Sequence, residues 1–200
     1  VAVLLVVGVS VYLITRKKSS NKKSFWTAKT MAVGAMCMAL SSVLSLIKLW
    51  PMPMGGSVTP ASMLPLLLFA YCYGVGPGMV LGALYGVMQF LLDGMAWAAL
   101  GAIPNLLDYP IAFGMLGLAG CFRGSKAKMT AGFVLGCFGR FMASFLSGFI
   151  FYGQYAPEGV NPVWYSLTYN GSYMLVECII CIALGLLVGE RLAKELKKVA

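Results

Sequence analysis

The sequence predicts an all-α membrane protein, a bundle of six transmembrane helices with an extra hydrophobic N-terminal segment. Three observations lead there. Hydrophobic residues make up 60% of the 200 positions and charged residues only 10%. The mean hydropathy is +0.86, and the apolar runs are about 20 residues long, the length a helix needs to cross a hydrocarbon core of about 30 Å. A water-soluble fold would leave too much of this apolar surface uncovered.

Residues 1–25 read as an accessory unit and residues 26–200 as the membrane domain with a basic C-terminal tail. Val1 to Thr15 is apolar but spans only about 22 Å as a helix, short for a full crossing. Arg16 to Lys23 is a basic linker. Six segments follow, at about 26–49, 61–76, 77–93, 103–121, 130–152 and 164–190. If the linker lies inside, alternation also places the Arg123–Lys128 connection and the Arg191–Lys198 tail inside. That agreement is the positive-inside pattern, so the net charge of +9 reflects topology rather than affinity for nucleic acid. The expected location is a cell membrane, multi-pass, with basic loops and C-terminus cytoplasmic. Two outer loops remain, 50–57 and 153–162, whose Pro, Gly and aromatic content suits ordered lids. Gly74 to Gly78 is a tight inner turn.

The first core helix carries Ala28, Ala32, Ala35, Ala39 and Ser42 in one stripe of small side chains, which lets another helix approach closely. Internal packing and a docking face for a partner membrane protein both fit. The last helix gathers Tyr165, Ser166, Tyr169, Asn170, Tyr173 and Glu177 within about 140° of arc, with Leu167, Gly171, Met174 and Leu175 opposite. The polar arc should face the bundle interior.

Ionisable side chains inside the apolar segments identify the functional region, since each is costly without a partner. Arg140 and Glu177 both fall near mid-bilayer and are expected to pair. Asp93 and Glu158 lie near the outer surface, within reach of solvent. Asp108 is then the carboxylate left without an internal cation, and its partner is expected to be a cationic ligand. Tyr85, Trp97, Tyr109, Tyr152, Trp164 and Tyr165 lie in the same outer half. Aromatic faces around one carboxylate suit a flat, positively charged ring. Trp50 and Trp164 also suit an interfacial aromatic belt.

Other chemistries lack their residues. The chain has no histidine and six cysteines within apolar segments, which read as small buried hydrophobes rather than a disulfide framework or a metal site. No Gly-x-Ser-x-Gly turn or closely spaced carboxylate pair is present, so an enzyme is not expected and no cofactor is called for.

At this point the residues resemble a known family. Pro53 to Val58, the Leu107-Asp108-Tyr109 element, and the run Phe151 to Gly159 followed by Pro162 to Asn170 resemble the thiamine-specific substrate-binding subunits of energy-coupling factor transporters. The resemblance covers about residues 26–190. It implies a six-helix bundle that holds thiamine near the extracellular side, under the loop between the first two helices, where Gly55, Gly56 and Ser57 stand. By the same resemblance Asp108 pairs with the thiazolium, Tyr109 and Tyr85 line the pocket, and Tyr152 stacks on the ligand. Tyr165 and Asn170 hydrogen-bond to the aminopyrimidine. Ser144 stands where the family commonly has a histidine; it keeps hydrogen bonding and loses stacking. The resemblance also implies that Ala32, Ala35 and Ala39 dock onto an energy-coupling transmembrane subunit, with two cytoplasmic ATPase subunits driving the cycle. No Gly-x-x-x-x-Gly-Lys-[Ser/Thr] phosphate loop occurs in this chain, so ATP hydrolysis belongs to those partners. The alternative is a stand-alone, proton-coupled secondary transporter for thiamine or a related cationic aromatic compound, with Asp108 or Glu177 as the proton relay. The small size and lack of inverted repeats disfavour it.

Overall fold

The computed structural model describes residues 26–53, 55–95, 98 and 101–199, so the N-terminal apolar segment, the basic linker up to residue 25 and Trp97 lie outside the described residues. The chain is a helical bundle. Among the described residues, five helices are long and apolar enough to cross a membrane: α1 (Ala28–Leu46), α3 (Val75–Gly94), α4 (Ala102–Cys121), α5 (Lys126–Phe151), and α6 (Pro162–Leu184), which continues through Gly185–Gly189 into α7 (Glu190–Val199). Between α1 and α3 lie the strands β1 (Trp50–Pro51) and β2 (Ser57–Val58) and a short helix α2 (Leu64–Tyr73).

Local sequence sets the starts. Thr27 and Thr30 form a reciprocal capping box on α1, Ser125 caps α5 through the Lys128 amide, and Asn161 caps α6 with Pro162 in the first turn. Each satisfies backbone donors that a helix start leaves open.

The second helix departs from expectation. Instead of spanning 61–76 it runs for 10 residues, about 15 Å, too short to cross alone. Ala61 takes a left-handed φ of 67°, which breaks the helix on one side, and Gly74 at φ 103° reverses the chain into α3 on the other. Nine of the ten α2 residues are buried, so this hydrophobic run is the centre of the core rather than a lipid-facing span. Phe69, Leu67, Leu66 and Met63 sit there against Phe133, Leu116 and Tyr85.

Helix α4 is continuous but irregular, with a π turn over Leu107–Ile111 and a 3₁₀ end at Leu116–Cys121. Pro110 lies inside the π turn; it lacks the amide that a regular helix would need there, and the wider turn accommodates the gap. Glycines on α3 bring it against this helix. A Cβ on Gly82 would lie 2.2 Å from the Phe113 carbonyl oxygen, and one on Gly86 would lie 2.4 Å from that of Tyr109. The backbone carrying Asp108 is thus held by direct contact with α3.

The basic connections gather at one end of the bundle. Lys126 meets Glu190 at 3.8 Å, Arg123 donates to the Cys72 carbonyl, and Tyr73 donates to the Leu196 carbonyl at 2.6 Å. The β1–β2 hairpin lies at the opposite end, pairing Trp50 with Val58 and Pro51 with Ser57.

The alanine stripe faces outward. Ala28, Ala32, Ala35 and Ala39 are exposed, and α1 packs inward through Thr30, Val33, Gly34, Cys37, Ser41 and Ser45. Internal packing therefore does not account for the four alanines. Among the cysteines, Cys37, Cys72, Cys137 and Cys181 are buried and Cys178 is half-buried, but Cys121 is exposed, contrary to the expectation that all six are buried. Its position as the last residue of α4, at the end of the 3₁₀ turn, opens it at the bundle end.

Candidate functional site

At the hairpin end, α3, α4, α5 and α6 leave a cavity with the hairpin over it. Asp108 reaches it from the π turn of α4. Oδ2 accepts a 2.7 Å hydrogen bond from Ser147 Oγ, and Ser144 and Tyr152 stand within reach of the same carboxyl. Among the described residues no lysine or arginine lies within 4.0 Å of it, whereas Glu177 and Asp93 each have such a partner. Ser147 went unread in the sequence. Its signal is periodic: Arg140, Ser144 and Ser147 stand at i, i+4 and i+7 on α5, one polar stripe on a helix that is otherwise apolar beyond Thr130.

The aromatic walls come from three helices. Tyr165, Tyr169 and Tyr173 climb one face of α6 with successive ring centroids 6.0 Å apart. Tyr109 meets Phe90 edge-on at 5.4 Å. Tyr85 is fully buried, with its hydroxyl donating to the Ser41 carbonyl at 3.3 Å. Tyr152, just past the end of α5, completes the rim beside Tyr155. Asp108, Tyr109, Tyr85, Tyr152, Tyr165, Asn170 and Ser144 thus all line one cavity, together with Gly55, Gly56 and Ser57 of the hairpin. The structure does not speak to Trp97, which lies outside the described residues.

Asn170 is held from several sides. Its Nδ2 donates to the Ser166 carbonyl at 3.1 Å and to that of Ser144 at 3.4 Å, and its Oδ1 accepts from Tyr173 at 3.2 Å. The second lone pair of Oδ1 is the capacity this geometry leaves for a ligand. The polar arc of α6 faces inward as expected, with Ser166, Asn170, Tyr173 and Glu177 buried. Met174, expected on the opposite side, is buried too, because Val58 of the hairpin packs on it.

Arg140 and Glu177 meet at 3.8 Å, as expected. Glu177 is 1% exposed, and its other oxygen accepts from both Thr59 and Ser62. Arg140 also lies over the Phe113 ring, 4.2 Å from its centroid. Sequence separation hid the two hydroxyl donors, which are 118 and 115 residues from Glu177. Asp93 is one-third exposed, within reach of solvent as expected, and Lys48 also binds it at 2.8 Å.

The hairpin is shaped to lie flat on this site. Gly55 takes φ 95° at its tip, and a Cβ on Gly56 would come within 2.8 Å of the Tyr173 ring. Only a residue without a side chain lets the backbone rest on that ring.

Asp93, Asp108, Glu177 and Arg140 all line the cavity; Lys48 pairs with Asp93 and Arg140 with Glu177, so one negative charge is left over against walls of tyrosine, a balance that favours a monovalent cation.

A family described as thiamine transporter protein matches residues 31–196. A thiamine transporter from Bacillus subtilis is 38% identical over 144 residues, covering 65% of this chain and 73% of that protein. One from Lacticaseibacillus paracasei is 32% identical over 134 residues, covering 60% of this chain and 67% of that protein. Among solved structures, a thiamine transporter from Listeria monocytogenes shares the fold with a TM-score of 0.73 at 21% identity, covering 84% of this chain and 96% of that one.

Proposed function

This chain belongs to the thiamine transporter family, and from that premise we propose that it is the thiamine-binding membrane subunit of an ATP-driven energy-coupling factor importer, capturing thiamine on the extracellular side. The observation that carries this is Asp108: a carboxylate within a membrane span, with no lysine or arginine within 4.0 Å among the described residues and with Arg140, across the same cavity, already engaged by Glu177, in a cavity walled by tyrosines. The permanent charge of a thiazolium is the counter-ion such a site lacks.

In this reading the thiazolium pairs with Asp108 beside Tyr109, and an aromatic ring of the ligand stacks at Tyr152. The aminopyrimidine hydrogen-bonds to Tyr165 and donates from its amino group to the spare Oδ1 lone pair of Asn170, with Ser144 beneath and Tyr85 closing the back wall. The hairpin, through Gly55, Gly56 and Ser57, covers the ligand. The basic end of the bundle faces the cytoplasm, which sets the cavity toward the outside. The test is titration of the purified protein with thiamine, read by intrinsic Trp and Tyr fluorescence. Saturable quenching supports the reading, and a flat trace like that of an unrelated vitamin overturns it.

The exposed face of Ala32, Ala35 and Ala39 is the docking surface for the energy-coupling transmembrane subunit in the same reading, since small side chains admit a close helix crossing. Replacing Ala35 and Ala39 with Trp is expected to leave thiamine affinity unchanged and to abolish uptake in cells that carry the coupling subunit and its ATPases. Uptake at the normal rate would contradict this docking face.

A further inference from the structure

The hairpin over the cavity is tied to the bundle at two roots of opposite character. Its C-terminal root is buried. Thr59, directly after β2, is 4% exposed and Ser62 5%; both hydroxyls donate to Glu177, and Thr59 Oγ1 also accepts from the Ser62 amide at 3.1 Å. Between them Ala61 holds its left-handed φ while 1% exposed. A non-glycine residue keeps that conformation only where its surroundings dictate it, so residues 59–62 are a fixed point.

The N-terminal root is open to water. Lys48, two residues before β1, donates from Nζ to both oxygens of Asp93 at 2.8 and 3.0 Å, and the two side chains are 38% and 33% exposed. One turn deeper, Ser45 donates to Gln89 Oε1 at 3.3 Å. Ser45, Gln89 and Asp93 all line the cavity, so these two contacts close its flank between the outer ends of α1 and α3. An exposed ion pair is weak and salt-sensitive. A buried carboxylate with two donors and a cation is neither.

We propose that Lys48 and Asp93 are the latch of the hairpin, positioning residues whose ion pair sets how fast the cavity opens, while Thr59, Ser62 and Glu177 form the hinge on which it turns. This rests on the reading of the cavity as a thiamine site, but the latch is testable without any ligand.

The experiment is hydrogen–deuterium exchange of the ligand-free protein in lipid nanodiscs, followed on the peptide covering residues 49–58. In that peptide the Leu49 amide is bonded to Val58 and the Met52 amide to Gly56. Lys48→Gln and Asp93→Asn are each expected to speed exchange by roughly two- to five-fold, the range an exposed pair supports. Raising NaCl from about 20 to about 500 mM speeds the wild type similarly and leaves both variants unchanged, because screening acts on the pair. The exchanged pair Lys48→Asp with Asp93→Lys restores slow, salt-sensitive exchange. Thiamine dissociation follows the same order. Exchange within a factor of about 1.5 of wild type in both single variants, or salt dependence surviving in them, overturns the latch. Failure to bind thiamine with these exchange effects intact would overturn the ligand and leave the latch standing.

Discussion

Replacing Asp108 with Asn weakens thiamine binding by about 2–5 kcal/mol, roughly 30- to 5,000-fold in Kd, while the protein still folds. The side chain keeps its size, and its oxygen still accepts from Ser147. What disappears is the negative charge, and with it the counter-ion for a cation removed from water. Ser144 and Tyr152, which face the same carboxyl, offer hydroxyls but no charge. Calorimetric titration of the purified variant checks this, and affinity within about two-fold of wild type would remove Asp108 from its assigned role.

Replacing Arg140 with Met acts on stability instead. Arg140 and Glu177 are buried together at 3.8 Å, and removing one partner of such a pair leaves an uncompensated charge, a loss of about 3–5 kcal/mol. Thr59 and Ser62 still donate to Glu177, which softens the loss but supplies no cation. The double change Arg140→Met with Glu177→Gln is expected to recover most of it, since the second substitution removes the stranded charge. Thermal unfolding of the wild type, the single variant and the double variant in detergent decides the matter. A Tm for the single variant at or above that of the double variant would contradict the pair as described.

Much of this was legible in the chain. Asp108 stood out because an apolar segment makes a carboxylate expensive, and the pairing of Arg140 with Glu177 followed from their matching depths, which helix rise alone supplies. The polar arc of α6 was visible as periodicity. The same reasoning failed where contacts are distant in sequence or where backbone geometry departs from regular helix. Leu64 to Tyr73 reads like any lipid-facing run, and only the left-handed Ala61 and the reversal at Gly74 reveal it as a short core helix. The π turn beneath Asp108 was not predicted, although Pro110 two residues later marks a site where a regular helix cannot continue unchanged. Lys48 and Asp93 are 45 residues apart, and each alone reads as a solvated surface charge. Ser147 carries a periodic signal beside Ser144, three residues along the same polar stripe of α5.

The account turns on charge recognition at Asp108, and one comparison isolates it: the affinities of wild type and Asp108→Asn for thiamine and for its neutral isostere, in which a thiophene replaces the thiazolium. Shape, stacking surface and pyrimidine are the same in both ligands. The account predicts that the wild type prefers thiamine by about 2 kcal/mol or more and that the variant loses most of that preference. Equal affinity of the wild type for the two ligands, or a preference that survives unchanged in the variant, would contradict it.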